Sequence, residues 1–238
     1  NSMLAQDYSP NRLERAKLAI SRLVDKLRDD RIGLIVFAGS SYVQLPITTD
    51  YVSAKMFLNT ISTESVPIQG TALADAINTA ARSFSAQSEK SRAIIVITDG
   101  ENHEDDPVKA AKQAAELGIK VYTIGVGSPE GKPIPLKDGG LMKDREGNIV
   151  VTRLDENTLR EIASAGNGAY VRAGNSEFGL NPIIDDIKKM DAEKFNSVVF
   201  EEYDEQYMYF FAFALFFFVL TCLIGDRKTK FSLFGTKK

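Results

Sequence analysis

The chain has 238 residues, 44% hydrophobic and 26% charged, an ordinary globular composition that suffices for one large domain or one domain with an appendage. Its formal net charge of −3 gives no reason to expect nucleic-acid binding. A single cysteine, Cys222, excludes an intrachain disulfide and leaves the redox compartment open, because an oxidising compartment does not oblige a protein to use disulfides.

In chain order, "RLERAKLAISRLVDKLRDD" (12–30) places Leu13, Ala16, Ile20, Leu23, Val24 and Leu27 on one helical face. The continuous apolar run "IGLIVFAG" (32–39) predicts a buried parallel strand. "SYVQLPITT" (41–49) alternates and contains Pro46, which suits an edge strand; with only Gly39 and Ser40 between them, the two predict an antiparallel hairpin. A helix over about 50–61 follows, and another from near Thr71, carrying Leu73, Ala76, Ile77, Ala80 and Phe84. "RAIIVITD" (92–99) is a second buried strand. "DPVKAAKQAAELG" (106–118) is a helix capped by Asp106, with Pro107 at its first position and Gly118 at its end. A strand at 119–127 follows. The segment 132–154 reads as a small β excursion with turns at Asp138 with Gly139 and at 146–148. A helix over 155–166 capped by Asp155, a strand at 168–173 and a helix over 181–191 complete the pattern. Strands alternating with helices across short loops predict a doubly wound, mostly parallel α/β sheet with one antiparallel edge strand and helices on both faces.

The appendage is "YMYFFAFALFFFVLTCLIG" (207–225), which has no charged residue and is apolar on every face. As a helix it would span roughly 28 Å, close to the ~30 Å hydrocarbon thickness, and it is read as a transmembrane helix that buries Cys222 as an inert thiol. Acidic residues precede it in "EEYDEQY" (201–207), and Arg227, Lys228, Lys230, Lys237 and Lys238 follow it. Basic flanks stay cytoplasmic, so the main domain is expected outside the cytoplasm. A translocated domain without an opening signal peptide suggests that the sequence lacks its beginning.

In open α/β sheets, ligands bind beyond the carboxyl ends of the strands, where Asp99 stands. GxGxxG follows no strand, the glycines of "GVGSPEGKP" have the wrong spacing for a phosphate loop, and GxSxG is absent. His103 is the one histidine, read as a solvated loop residue, which excludes multi-histidine metal sites. Oxygen chemistry remains. Thr71 follows Gly70 at the expected start of a helix, where it could equally be a plain cap, and Ser2 lies at the chain start, where it could equally be frayed. Hydroxyls from two loops and the Asp99 carboxylate from a third match the oxygen preference of magnesium, which keeps several waters.

On "NSMLAQDYSPNRLERAK" (1–17), "GTALADAI" (70–77) and "ITDGENHE" (97–104), residues 1 to about 190 resemble the von Willebrand factor A domain, and closely its membrane-anchored bacterial aerotolerance (Bat) branch, of the BatB kind. The resemblance implies a metal-ion-dependent adhesion site. Asn1 and Ser2 match the last two residues of its Asp-x-Ser-x-Ser motif, Thr71 its threonine and Asp99 its second aspartate, facing the metal through water. Gly100 lets the loop turn beside it. Asp7 is a further candidate ligand, and Glu101, Glu104, Asp105 and Asp106 are expected to form a solvated acidic rim. The leading Asp-x-Ser and the first strand of the fold, which belongs between the strands at 32–38 and 93–98, are absent. Weak binding of Mg2+, or of Mn2+ or Ca2+, is therefore expected. The expected organisation is an A domain over 1–192, incomplete at its N-terminus, an acidic linker over 193–206, the transmembrane helix over 207–225 and a basic cytoplasmic tail over 226–238, in the inner membrane with the domain periplasmic. The implied function is that of a non-enzymatic module whose metal accepts a carboxylate from a partner protein, beside other Bat membrane proteins and a MoxR-type AAA+ ATPase, in envelope or oxidative stress tolerance. The alternative is a metal-dependent phosphate-ester hydrolase.

Overall fold

The computed structural model of the chain describes residues 1–85, 91–102, 105–136, 139–174, 180–199 and 207–223. They divide into two compact units, Asn1–Lys194 and Phe195–Lys238. The first unit opens with a short 3-10 turn at Ser2–Leu4, then alternates: α1 (Arg12–Lys26), β1 (Ile32–Phe37), β2 (Ser41–Thr48), α2 (Tyr51–Thr60), α3 (Leu73–Ser83), β3 (Arg92–Thr98), α4 (Pro107–Glu116) and β4 (Ile119–Gly125). A small β arm, β5 (Lys132–Pro133) with β6 (Val151–Thr152), leads into α5 (Glu156–Ala165), β7 (Asn167–Arg172) and α6 (Leu180–Val199).

Side-chain oxygens start most of the helices, each taking up a backbone N–H that the first turn leaves unpaired. Asn11 accepts from the Glu14 N–H, Asp50 from Val52 and Ser53, Asp106 from Lys109 and Asp155 from Thr158. Pro107 follows its cap at the first helical position, where its missing N–H costs nothing.

β3, β4 and β7 form a parallel sheet, and β1 and β2 a separate antiparallel hairpin. Among the described residues β1 pairs only with β2, antiparallel, and of its side chains only Leu34 is buried, so the buried parallel strand expected at 32–39 is an antiparallel, half-buried one. Alternation along the strands sends side chains to two cores. Ile94, Val96 and Val121 pack with Leu73 and Ile77 of α3, the alanines of α4, and Leu159 and Ile162 of α5. Tyr122 and Ile124, with Ile95 and Ile97, pack on the other face against Ala16 and Ala19 of α1 and Ile183 and Ile184 of α6. Helices therefore cover both faces of the parallel sheet, as expected. A third cluster joins Leu34 and Leu45 of the hairpin to Ala54 and Leu58 of α2.

Two boundaries differ from expectation. α6 continues to Val199 through residues expected to begin the linker, because "AEKF" (192–195) carries no helix breaker. The helix expected from Thr71 begins two residues later, at Leu73. In the second unit, α7 (Tyr207–Leu223) has 17 residues, and its apolar side chains from Tyr209 to Leu220 are exposed. Among the described residues no helix is long and apolar enough to cross a membrane. The expected Asp138 turn, the rest of the linker (200–206) and the basic tail lie outside the described residues.

Ile77 has no exposed surface and stands where α3 meets the parallel sheet. Replacing it with Ala should cost about 2–5 kcal/mol, read by urea unfolding of the purified domain.

Candidate functional site: a buried carboxylate clamp at the strand ends

Asp99 directly follows β3 and is only 2% exposed. Gly100 turns the chain beside it with φ +82; a Cβ there would lie 2.6 Å from the Asp155 carbonyl oxygen, so glycine is required on both counts. The Asp155 N–H in turn donates to the Asp99 backbone oxygen at 2.8 Å, fastening the end of β3 to the start of α5.

The side-chain partners of Asp99 come from distant parts of the chain. Arg12, the first residue of α1, has no exposed surface at all. Its Nη1 donates to Asp99 Oδ2 at 3.1 Å, and the Thr152 hydroxyl, at the base of the β arm, donates to the same oxygen at 3.0 Å. Arg12 Nη1 also reaches Thr152 Oγ1 at 3.2 Å. The other edge of the guanidinium forks onto Asp7, with Nε to Oδ1 and Nη2 to Oδ2 both at 2.7 Å. Asp7 accepts the Ser128 N–H as well, at 2.9 Å. Gly127 makes room for this: a Cβ on it would meet Arg12 Nη2 at 2.7 Å. Burial alone would push the Asp7 carboxyl up, but the hydrogen bonds and charge of Arg12, with the backbone N–H groups, hold it below its ordinary value. Asp7 is therefore committed to Arg12, and the structure gives it that role in place of the metal-ligand role it was a candidate for.

This arrangement divides the two oxygens of Asp99. Oδ2 is saturated by Arg12 and Thr152, whereas Oδ1 has only a long contact of 3.4 Å from the Thr98 hydroxyl. On formal charges, the two carboxylates of Asp7 and Asp99 face one guanidinium, so the buried cluster keeps one negative charge.

Ser2 and Thr71 sit on neighbouring loops. The Asn1 backbone nitrogen lies 3.4 Å from Gln69 Oε1, so the Asn1–Ser2 segment and the 69–71 loop adjoin. The 69–71 loop is held against the end of β1, where Gly39 N–H donates to the Ile68 oxygen at 3.0 Å and Ala72 N–H to the Ala38 oxygen at 2.7 Å. Thr71 does not cap α3. The cap position is Ala72, which has no side-chain oxygen, and the Asp75 N–H is taken by Asp105 Oδ2 at 3.0 Å. That leaves capping out of the account of the Thr71 hydroxyl.

Of the acidic residues expected to form a solvated rim after Asp99, Asp106 is exposed and Glu101 and Asp105 are half-buried, and each takes up a backbone N–H. Glu101 accepts the Arg153 N–H at 2.8 Å, Asp105 caps α3, and Asp106 caps α4. Glu104 and His103 lie outside the described residues. Asn102 Oδ1 and Asp105 Oδ1 are buried without a hydrogen-bond partner. Two buried oxygens in want of a donor, an uncompensated carboxylate and two partly buried hydroxyls are the donor chemistry of a hard cation that keeps its waters, and to that extent the residues fit a metal. They are poor in charge: among the described residues no three His, Cys, Asp or Glu side chains group to hold an ion.

Residues 2–186 match the model of the von Willebrand factor type A domain, and the chain belongs to that family. It is similar to the crystal structure of an aerotolerance-related membrane protein from Bacteroides fragilis carrying multiple mutations to serine. The two are 54% identical with a TM-score of 0.77, over 79% of this chain and 94% of that one. It is also similar to BatB from Bacteroides thetaiotaomicron, 53% identical with a TM-score of 0.72, over 83% and 93% of the two chains. The BatB-like reading of the sequence thus holds. The fold extends to proximal thread matrix protein 1 from the mussel byssus, 18% identical with a TM-score of 0.55 over 79% and 43% of the chains, whose metal-ion-dependent adhesion motif is occupied by zinc in that structure. The chain spans about half the length of the curated relatives it matches.

The clamp makes a prediction about acid stability. A carboxyl whose folded pKa is depressed contributes stability above its unfolded pKa, and that contribution is lost as pH falls through the folded value. Asp7 should therefore steepen the loss of stability below about pH 4, and Asp7→Asn should flatten it. At neutral pH, Asp7→Asn loses the charge-assisted fork onto Arg12, which Asp99 still neutralises, and should cost about 1.5–3 kcal/mol. Urea unfolding across pH checks both.

Proposed function

We propose that the domain is a binding module in which Ser2, Thr71 and Asp99 hold one divalent cation, Mg2+ or else Mn2+ or Ca2+, whose open coordination position accepts a carboxylate from a partner protein. The observation that carries this reading is the excess of carboxylate over guanidinium in the buried Asp7–Arg12–Asp99 cluster at the end of β3, with the adjoining Ser2 and Thr71 loops as the expected source of the remaining ligands. A buried charge without compensation is costly, and a cation at those loops supplies it. Partners of the expected kind are other Bat-type A-domain membrane proteins and a MoxR-type AAA+ ATPase, in envelope or oxidative stress tolerance. No bond is broken in this reading, and among the described residues there is no second cluster of carboxylates to serve a hydrolase.

Titration calorimetry of the purified chain with MgCl2 or MnCl2 should give saturable, weak binding that Asp99→Ala abolishes. Binding that survives Asp99→Ala would place the cation elsewhere. Cation-dependent hydrolysis of a phosphate ester, lost in the same variant, would replace the binding module with the hydrolase.

We further propose that the apolar run 207–225, two residues longer than α7, anchors the chain in the inner membrane with the A domain periplasmic and the basic tail cytoplasmic. In cells carrying the Cys222→Ala chain, an impermeant thiol reagent should label Lys112→Cys, on the exposed side of α4, and spare Lys237→Cys. The reverse pattern would invert the topology.

A further inference from the structure

We propose that Arg12 and Thr152 are positioning residues of the cation site. Between them they occupy one oxygen of Asp99 and so present the other to the ion. The inference rests on the reading of Asp99 as a cation ligand and deepens it.

A free carboxylate rotates about its Cβ–Cγ bond and can offer either oxygen, or both, to an ion. Asp99 cannot. Its Oδ2 takes two hydrogen bonds, from a guanidinium and from a hydroxyl that stand on different elements. The guanidinium is itself immobile. Its far edge is forked onto Asp7, and it has no exposed surface. The Thr152 hydroxyl donates to Asp99 and accepts from Arg12, so its proton is committed as well. Rotating Asp99 would break two hydrogen bonds at once in a buried site. The remaining oxygen, with only the long Thr98 contact, is left as the one available to an ion or to a water bound to it. Groups that hold a ligand in this way without touching the metal commonly govern affinity by 10–100-fold.

The test uses the full chain and Mn2+, read by electron paramagnetic resonance of the free ion. Thr152→Val keeps the shape and removes the hydroxyl. It should weaken Mn2+ binding by about tenfold or more, and Thr152→Ser should restore most of the affinity. Arg12→Lys, which keeps the charge but not the fork, should weaken binding comparably. The stability of each ion-free variant is measured by urea unfolding beside it. A merely structural role would lower stability and leave the affinity of the folded fraction at the wild-type value. Should Arg12→Lys fail to fold, the Val and Ser pair at 152 decides.

Wild-type affinity in folded Thr152→Val, with binding still lost in Asp99→Ala, overturns the positioning role and leaves the cation site standing. Absence of Mn2+ binding by the wild-type chain, or unchanged binding in Asp99→Ala, removes the cation site and this inference with it.

Discussion

A guanidinium without exposed surface is the constraint on which the rest of this domain depends. The desolvation of an arginine is tolerated only where carboxylates meet it with good geometry and its remaining donors find acceptors. Arg12 satisfies both demands with groups 5, 87 and 140 residues away in sequence. The consequence is mechanical. The first loop, the start of α1, the end of β3, the turn after β4 and the base of the β arm are fastened at one point. Each of these segments reaches the carboxyl end of the parallel sheet, which is where such folds build their sites. The loop that carries Asp7 has a second anchor, since the Tyr8 hydroxyl donates to the Ala173 oxygen just beyond β7 at 2.6 Å.

Close backbone approach makes the fastening possible, and glycines mark where it occurs. At Gly39 a Cβ would fall 2.7 Å from the Gln69 oxygen, which shows how tightly the 69–71 loop lies on the end of β1. Gly127 leaves the volume into which the guanidinium fits. Neither glycine touches a ligand. They matter because the polar groups they admit could not converge around a side chain.

Much of the architecture was legible from the sequence because it rests on local pattern. The apolar run at 92–99 read as a buried strand, where β3 stands, and Asp106 and Asp155 cap the helices they were expected to cap. Asp99 stood out because a carboxylate at the end of a buried strand has no packing reason to be there. Arg12 did not stand out. It lines up with Ala16, Ala19 and Leu23 on α1, but an arginine in the first turn of a helix reads by its charge as a residue for solvent. Its burial is decided by Asp99 and Thr152, which no window along the chain contains. The one local signal was the pairing of Asp7 with Arg12 across a Pro10–Asn11 helix start. The same limit explains Asp105, whose capping partner is α3, 30 residues away, and Thr71, whose helix start is displaced by a bond from Ala72 to the end of β1. Composition could say that these acids were exposed on average, but not which backbone N–H would claim them.

The division of Asp99 also bears on what the site can do. A carboxylate acting as a nucleophile or general base needs an oxygen free to reach the reacting group, and in Asp99 Oδ2 is taken up by Arg12 and Thr152. As a cation ligand the same feature is useful. At the proposed site, with one anionic oxygen and two hydroxyls around it, a divalent ion would keep most of its positive charge, and that charge would be available to a carboxylate from outside. A site with three or four carboxylates of its own would hold the ion more tightly and attract an external carboxylate less. The cost of a charge-poor site is weak affinity for the ion. That cost is borne more easily where the ligands are already oriented, because nothing has to be ordered when the ion arrives. In the proposed site the buried clamp around Arg12 would supply that orientation for Asp99, and so make a low-charge site compatible with specific binding.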